Sequence, residues 1–236
     1  MVERPTRCYL DVPFGEKAQA KAAGARWDLS AKRWYDPRPD ATGQPRAELR
    51  GWATLPEVPD VLPGEDRGFG QGLFIDPVPE SCWFSNVRTC VDRRDWERLR
   101  RMISRRAGHR CEICGRPEDR DQRRWLEAHE RWHYDEHAGV QSLRRLICVC
   151  SDCHLATHMG FANVTGRTDQ AIDHLQAVTG MTDEQADAHI AAAARRWAEQ
   201  SGRHWVLDLS ILTEAGVTLA PPEHPAARAE VARRYC

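Results

Sequence analysis

The amino-acid sequence predicts an α+β protein with a zinc-stapled core, flanking helices and a small β-α-β unit at the N-terminus. Two Cys-x-x-Cys pairs, beginning at Cys111 and Cys150, predict the zinc staple. Alternating apolar residues on either side of a helix-forming stretch predict the N-terminal unit within residues 6–36. Apolar residues at helical spacing in residues 168–179 and 182–200 predict the flanking helices.

The N-terminal unit occupies residues 1–36 in this interpretation. Its first strand is TRCYLDVPF, its helix is GEKAQAKAAGA with Gly24 at the end, and its second strand is KRWYDP. Residues 37–70 are rich in proline and have neither a strand period nor a helix period, so they predict an extended linker. Residues 71–236 then form the second domain, with its core at 108–160 and a C-terminal helical extension.

Local signals place further elements in the second domain. Asp92 stands where it would cap a helix that continues until Gly108. Thr182 and Gln185 have the spacing of a capping box at the start of the last long helix. Residues 204–212 alternate in polarity and predict a strand.

Composition narrows the possible classes of protein. The chain has 236 residues and a formal net charge of -1, and it contains no apolar run long enough to cross a membrane, so we expect a soluble protein without a membrane partner. No export signal is apparent, so we expect a cytoplasmic protein in a reducing compartment. In that compartment, nine cysteines are better explained as metal ligands and buried thiols than as disulfides.

One local segment is basic although the whole chain is nearly neutral. Residues 91–124 contain twelve Arg and seven Asp or Glu, a net charge of about +5. This excess is typical of a surface that faces nucleic-acid phosphates. The alternative is a solvated helix face, because many of these arginines have an acidic neighbour at helical spacing.

The paired cysteines predict a structural zinc site. Cys111 and Cys114 precede Gly115, which permits a tight turn, and Cys150 and Cys153 repeat the same spacing. Four thiolates at two such turns form a closed tetrahedral zinc site. The alternative is four unrelated buried thiols. We expect the remaining cysteines to be structural or incidental: Cys8, Cys82, Cys90, Cys148 and Cys236.

Three histidines predict a second, open metal site. His154 and His158 are four residues apart and lie on one face if a helix begins near Cys153. His129 follows an apolar residue in a predicted strand. Taken singly, each histidine is more often a surface or core residue than a ligand, but together they provide three ligands of one divalent ion.

These motifs resemble the HNH nucleases of the ββα-metal class, in the subgroup stapled by four cysteines. The resemblance covers residues 111–158 through CEICG, LEAHE and RLICVCSDCHLATH. The flanking segments are similar to a bacterial and phage subset whose central motif is His-Glu. Separately, YLDVPFGEKAQAKAAGARWDLSAKRWY is similar to a small domain of uncharacterised function on plasmid, phage and other mobile-element proteins.

The HNH resemblance implies a metal-dependent endonuclease that hydrolyses phosphodiester bonds of nucleic acid, with DNA favoured over RNA. It implies structural Zn²⁺ on the four cysteines and a catalytic Mg²⁺ or Mn²⁺ on His129, His154 and His158. Glu130 stands where the family usually has its general-base histidine, so His133 and His137 are alternative bases. Arg145 stands where the family has its asparagine, and its alternative role is a contact to the scissile phosphate.

Two other functions agree with the same residues. One is a non-catalytic zinc module that binds nucleic acid. The other is an adaptor in a mobile-element or phage-defence complex that holds a protein partner through the N-terminal domain. We favour the enzyme because a zinc scaffold alone has no need of three further histidines.

Overall fold

A computed structural model describes residues 7–83 and 86–220. The chain folds as two units, with the boundary after Glu57. The expected mixture of helices and strands is confirmed in both units. Cys236, the first residues of the N-terminal unit and the end of the C-terminal extension lie outside the described residues. Within those residues, no helix is both long and apolar enough to cross a membrane.

The N-terminal unit is a three-stranded antiparallel sheet with one short helix. The central strand of the sheet is β3, with β1 and β2 on either side. The elements are β1 (Cys8–Leu10), α1 (Lys17–Ala22), β2 (Arg26–Asp28) and β3 (Arg33–Asp36). As predicted, Gly24 follows the helix, and its φ of 98° is a conformation that glycine adopts without strain.

The unit differs from the predicted β-α-β arrangement in two ways. First, β2 was not predicted, because a three-residue strand of Arg, Trp and Asp is too short to show a period. Second, the unit continues well beyond residue 36. A 3₁₀ turn, Ala47–Trp52, buries Leu49 completely, and the Trp52 indole donates a hydrogen bond to Glu16. The linker was therefore predicted to start too early. Tertiary contacts hold residues 37–53 in the N-terminal unit, although their sequence shows neither a strand period nor a helix period.

The remainder of the predicted linker belongs to the C-terminal unit. Val58 and Leu62 are almost fully buried in its larger core. The carboxylate of Glu65 is inaccessible and accepts two 2.8 Å hydrogen bonds from Arg106. It also accepts a 3.1 Å bond from the Leu146 backbone. A segment without helices or strands that buries only a few residues has the amino-acid composition of a linker, and for this reason residues 58–70 were predicted as one.

A long hairpin organises the C-terminal unit. Its strands β4 (Leu126–Asp135) and β5 (Val140–Cys150) pair antiparallel, with a register shift between Arg131 and Trp132. A short parallel strand, β6 (Val206–Asp208), extends the sheet beyond β5. The helices are α2 (Val87–Cys90), α3 (Arg93–Arg106), α4 (Ser151–Thr157), α5 (Met159–Val164), α6 (Thr168–Thr179), α7 (Asp183–Ser201) and α8 (Ser210–Thr213).

The predicted helix ends are confirmed. The Asp92 side chain accepts hydrogen bonds from two backbone N–H groups at the start of α3. The capping box of Thr182 and Gln185 opens α7. The strand predicted at residues 204–212 is only partly correct, because the chain leaves β6 after Asp208 and turns into α8.

The hairpin lies between two apolar layers. On one face, Leu146 and Cys148 pack with the core that includes Leu99 of α3. On the other face, Ile147 and Val149 pack with the core that includes Leu155 of α4. Successive strand side chains point to opposite faces, so β5 is buried on both sides near its end. The end of β5 is consequently packed on both faces, and both predicted metal sites lie next to it.

Candidate metal centres

The four predicted cysteines converge at the junction of β5 and α4. Cys150 ends β5, Cys153 lies in the first turn of α4, and Cys111 and Cys114 come from the loop after α3. All four sulfurs lie within 4.8 Å of one another, and those of Cys114 and Cys150 are 3.6 Å apart. Sulfurs at 2.3 Å from a tetrahedral zinc are separated by about 3.8 Å, so this donor set fits zinc in chemistry and spacing.

Backbone geometry in the first Cys-x-x-Cys turn supports the cluster. The Gly115 N–H donates to the Cys111 carbonyl at 2.9 Å, and its φ of 72° is suited to glycine. The Cys114 N–H lies 3.5 Å from the Cys111 sulfur. A hydrogen bond from the Cys150 thiol lowers the pKa of Cys111, while the pKa of Cys150 rises to about 12. Several thiolates this close repel one another unless they share a bound cation, and Zn²⁺ is a cation that suits four sulfur ligands.

Two other residues lie near the cysteine cluster, one outside it and one in contact with it. Cys148 is buried in the core that includes Leu99, away from the four-cysteine cluster, and burial raises the pKa of its thiol to about 12, so it is a core residue as predicted. His174 of α6 was not predicted to take part. Its Nε2 lies 3.1 Å from the Cys153 sulfur in a buried contact. A ring protonated at Nε2 donates a hydrogen bond to that sulfur and orients it.

The three predicted histidines also converge. His129 lies in β4, His154 in α4, and His158 at the break between α4 and α5. Their ring centres are 4.6–5.2 Å apart, and one nitrogen from each lies within 4.8 Å of the others. This spacing suits three ligands of one cation.

The protonation of the histidines favours a metal ligand role. Burial lowers the pKa of His129 well below its usual value, and burial lowers the pKa of His158 to about 3. Both rings are therefore neutral at physiological pH, which is the form that binds metal ions. Both nitrogens of His129 are buried and have no hydrogen-bond partner within the protein. A buried ring with two unsatisfied nitrogens is unusual, and a bound cation would satisfy one of them.

One carboxylate contacts the histidines, and two further carboxylates are buried in the same unit. Glu127, which was not predicted, lies two residues before His129 on β4, and one of its oxygens is 3.1 Å from His154 Nδ1. Glu130 accepts a 2.9 Å hydrogen bond from the Val87 backbone, and burial raises the pKa of its carboxyl. Asp76 was also missed. Its N–H donates to the Thr157 carbonyl at 3.0 Å, and burial raises its pKa to about 6.

The sequence contains a pattern that predicts the position of one of the two carboxylates that were not predicted, Glu127. The two-residue period of a strand places Glu127 on the same face as His129, so the pair could have been found from spacing alone. Asp76 gave no such signal because it lies in an irregular segment before α2.

Arg145 is held within the protein. Its guanidinium pairs with Glu112 at 3.1 Å and lies 3.4 Å from the Phe69 carbonyl oxygen. Its side chain is only 9% exposed. A contact between Arg145 and a scissile phosphate therefore stays a prediction from the resemblance, and these contacts do not support it.

The alternative bases lie further along the hairpin. His133 is exposed and four strand residues from His129, a separation of about 13 Å along β4. His137 is exposed in the turn that joins the two strands. Neither residue is part of the three-histidine cluster. Of the predicted bases, Glu130 is therefore the one next to a clustered histidine in the chain.

The basic segment is partly neutralised by ion pairs: two of its arginines pair with acids outside the segment, Asp60 and Glu65, so a net charge of about +3 remains. Six of its arginines pair with carboxylates, and these include the buried bond from Arg98 to Asp95 and the pair of Arg106 with Glu65. The other four pairs join Arg100 to Glu97, Arg105 to Asp60, Arg120 to Glu118 and Arg124 to Asp119. The segment's charge alone is thus weak support for a nucleic-acid surface.

Comparison with known proteins identifies the N-terminal unit. A family of domains of unknown function, DUF5710, matches residues 7–53. Residues 7–53 form a DUF5710 domain. A DNA primase TraC of Escherichia coli is 46% identical over 50 residues, which are 21% of this chain and 4% of that protein. A second DNA primase TraC of Escherichia coli is 45% identical over 51 residues, 22% of this chain and 3% of that protein.

The match to the DUF5710 domain confirms the predicted resemblance of the N-terminus to a small domain of uncharacterised function. The family match ends at residue 53, close to the unit boundary after Glu57. The chain spans only a few per cent of the length of these two primases. No solved structure matches the chain.

Proposed function

We propose that the C-terminal unit is a metal-dependent endonuclease of the HNH, ββα-metal type that hydrolyses phosphodiester bonds. The observation that carries the proposal is the convergence of His129, His154 and His158, with Glu130 next to His129 in the chain. The four-cysteine cluster supports it, because the cluster clamps the same strand and helix that hold the histidines. A site that serves structure alone would be complete with the cysteines.

The three histidines would hold a divalent cation through neutral ring nitrogens, a donor set that suits Mn²⁺ better than Mg²⁺, because Mg²⁺ prefers oxygen ligands. When bound, that cation supplies charge stabilisation to a non-bridging phosphate oxygen and to the departing 3′ oxygen. Glu127 fixes the orientation of His154 by accepting from its Nδ1, so that the other ring nitrogen is left for the cation. Burial keeps His129 and His158 neutral, so that neither ring repels the cation.

Glu130 is the proposed general base. The Val87 N–H fixes one carboxylate oxygen at 2.9 Å, and the second oxygen remains to accept a proton from water. An ordinary glutamate is a weak base at neutral pH, but burial raises the pKa of Glu130 and makes it a better proton acceptor. The burial of Glu130 and its place after His129 in the chain support the role that the family gives to a histidine.

DNA is the proposed substrate. The DUF5710 domain of this chain is similar to segments of two DNA primases, which favours DNA over RNA. Nucleases of this type grip the phosphate backbone, and backbone contacts position a protein without specifying sequence. We therefore propose cleavage without strong sequence preference.

A second candidate is a non-catalytic zinc module that binds nucleic acid or serves as an adaptor. The ion pair of Arg145 with Glu112 favours it, because this pair removes a cation that a phosphate would otherwise contact. In this alternative the histidines bind a cation for structure, and no nucleic acid is cleaved.

The deciding experiment incubates the full chain with supercoiled plasmid, single-stranded DNA and RNA, each with Mg²⁺, Mn²⁺ or EDTA. We expect divalent-dependent cleavage that His129→Ala abolishes and that excess Mn²⁺ partly restores in this variant. Glu130→Gln should lower the rate by about 10² to 10⁴ without rescue by Mn²⁺. His133→Ala is the matched control, since it removes an exposed histidine from the same strand, and it should cleave like the parent.

Two results would contradict the nuclease. If the parent is inert on every substrate but binds nucleic acid, the zinc-module alternative holds. If Glu130→Gln cleaves like the parent while His133→Ala is inactive, the nuclease stands but the base assignment is wrong.

A further inference from the structure

The two faces of the DUF5710 sheet differ in chemistry. On the inner face, Leu10 and the neighbouring Trp34 pack with the small core, which includes Ala20 and Leu49. Side chains alternate along each strand, so Tyr9 and Tyr35 point to the opposite, outer face. Within the domain, α1 and the 3₁₀ turn at residues 47–52 supply core residues to the inner face.

Aromatic rings and guanidinium groups alternate on the outer face. Tyr9 of β1 and Tyr35 of β3 are directly paired, with ring centres 6.4 Å apart. The Arg33 guanidinium lies 5.1 Å from the centre of the Tyr9 ring, and that of Arg7 lies 5.0 Å from the Tyr35 ring. Arg26 pairs with Tyr35 from the other side and is exposed. The strand register therefore brings two tyrosines and three arginines onto one small surface.

The acidic residues of the outer face are engaged inside the domain. Asp28 is almost fully buried and accepts hydrogen bonds from Tyr9, Arg7 and Ser30. The Ser30 hydroxyl and the other donors lower the pKa of Asp28. Asp11 lies 3.4 Å from the Arg33 guanidinium. Arg7 and Arg33 are the ion-pair partners of these two acids, but their side chains stay 51% and 42% accessible, and Arg26 is exposed as well.

We propose that this outer face of the DUF5710 domain binds single-stranded nucleic acid. Tyr9 and Tyr35 stack on bases, and Arg7, Arg26 and Arg33 contact the phosphates. Sheets that bind single strands use this combination, because any base can stack on an aromatic ring and a nearby cation follows the backbone. The arginines above the tyrosine rings either move to the phosphates or stack beside the bases in the same layer.

Other occupants fit the face less well. A duplex keeps its bases stacked inside, so the two tyrosines would have no base to contact. Tyr and Arg also occur at protein interfaces, but the centre of such a contact is usually more apolar and depleted in charge. The outward positions of the three strands hold Tyr, Arg and Asp but no aliphatic side chain. Charge and stacking together therefore select a single strand.

The test measures binding of the full chain to labelled oligothymidylate, oligouridylate and a DNA duplex by fluorescence anisotropy, without added divalent cation. Tyr35→Leu should weaken single-strand binding about 5- to 150-fold, the usual effect of removing one stacking ring. Arg26→Gln together with Arg33→Gln should reduce the slope of log K against log salt by about 1.4, since each phosphate contact to a single strand contributes about 0.7.

Matched controls separate binding from folding. Tyr35→Phe keeps the ring and should bind like the parent. Arg50→Gln removes an exposed arginine from the 3₁₀ turn at residues 47–52 and should leave the salt slope unchanged. The proposal is overturned if Tyr35→Leu and the double arginine variant bind single strands like the parent. It is also overturned if Tyr35→Leu weakens duplex binding as much as it weakens single-strand binding.

The outcome is independent of the proposed nuclease. Binding is measured without added divalent cation, so no cleavage enters the measured affinity. Loss of binding in Tyr35→Leu supports the inference even if no substrate is cleaved. Unchanged binding in that variant overturns the inference even if the nuclease is active.

Discussion

The Glu112 carboxylate accepts a hydrogen bond from the Arg145 guanidinium at 3.1 Å, and this ion pair ties the first cysteine turn to the middle of β5. The same carboxylate accepts from Arg67 at 2.9 Å and from the Cys148 backbone at 2.7 Å. Glu112 lies between the first two cysteines of the cluster. One buried acid therefore joins the zinc loop, the strand and the segment that precedes the hairpin.

Replacing Glu112 should strongly destabilise the C-terminal unit. Glu112→Gln leaves the Arg145 charge buried and without a carboxylate, and such losses cost about 3–5 kcal/mol. Urea denaturation followed by tryptophan fluorescence measures the change in the free energy of unfolding. Glu118→Gln is the control, because it breaks a solvent-exposed pair with Arg120 and should cost at most about 1 kcal/mol. Equal stability of both variants would show that the Glu112 contacts contribute little.

Zinc should be essential to the fold of the C-terminal unit. We expect one zinc per purified chain by elemental analysis, and Cys111→Ser and Cys150→Ser should lose it together with a cooperative melting transition. Cys8→Ser changes a cysteine of the other unit and should keep both zinc and melting temperature. Parent protein without metal, or cysteine-cluster variants that melt like the parent, would contradict the zinc site.

The unit boundary gives a sharp truncation test. A chain that begins at residue 58 should be soluble and should bind zinc, because it retains Val58, Leu62 and Glu65. A chain that begins at residue 71 loses these anchors and leaves Arg106 buried without its partner. We expect the shorter chain to aggregate or to melt at lower temperature. Equal melting of the two chains would mean that residues 58–70 do not stabilise the unit.

Glu127 should set the metal affinity of the three-histidine cluster. Removing an acid that orients a histidine ligand usually weakens metal binding by about 10- to 100-fold. Titration of Mn²⁺ followed by electron paramagnetic resonance should show this loss in Glu127→Gln. Glu136→Gln alters an exposed acid in the hairpin turn and should bind Mn²⁺ like the parent. Unchanged affinity in Glu127→Gln would remove Glu127 from the site.

Asp28 should make the DUF5710 domain sensitive to acid. Its hydrogen bonds lower the pKa of its carboxyl in the folded state, so its stabilisation is complete above the unfolded pKa of about 3.9 and is lost as pH falls toward the lower folded value. The protection factors of β1 and β3 amides, which correct the exchange rates for their intrinsic pH dependence, should therefore fall in this acidic range. Asp28→Asn should exchange faster near neutral pH and depend less on acid. A flat pH response in the parent would refute this linkage.

Local spacing predicted the parts of the sites that depend on neighbouring residues. The two Cys-x-x-Cys pairs and the His154 and His158 pair are each contained within a few residues, so turn and helix geometry nearly determines their arrangement. The caps at Asp92 and Thr182 are local for the same reason.

Local spacing could not predict contacts between residues that are far apart in the sequence. The Glu112 and Arg145 pair spans 33 positions, and the His174 contact to Cys153 spans 21. No period links such residues before the fold is known. The failed linker prediction has a similar cause, since Leu49, Leu62 and Glu65 are buried singly in irregular chain. Pattern reasoning detects repeated burial, and it overlooks isolated anchors.

The parallel strand β6 has a consequence for the order of synthesis on the ribosome. Val206–Asp208 pairs with the start of β5, and Leu212 and Val217 complete the core that α3 and the hairpin share. All seven proposed metal ligands leave the ribosome before these residues. A nascent chain that already carries both ligand sets therefore still lacks part of the core on one face of its hairpin. The last steps of folding in this unit must wait until β6 and the residues after it have been synthesised.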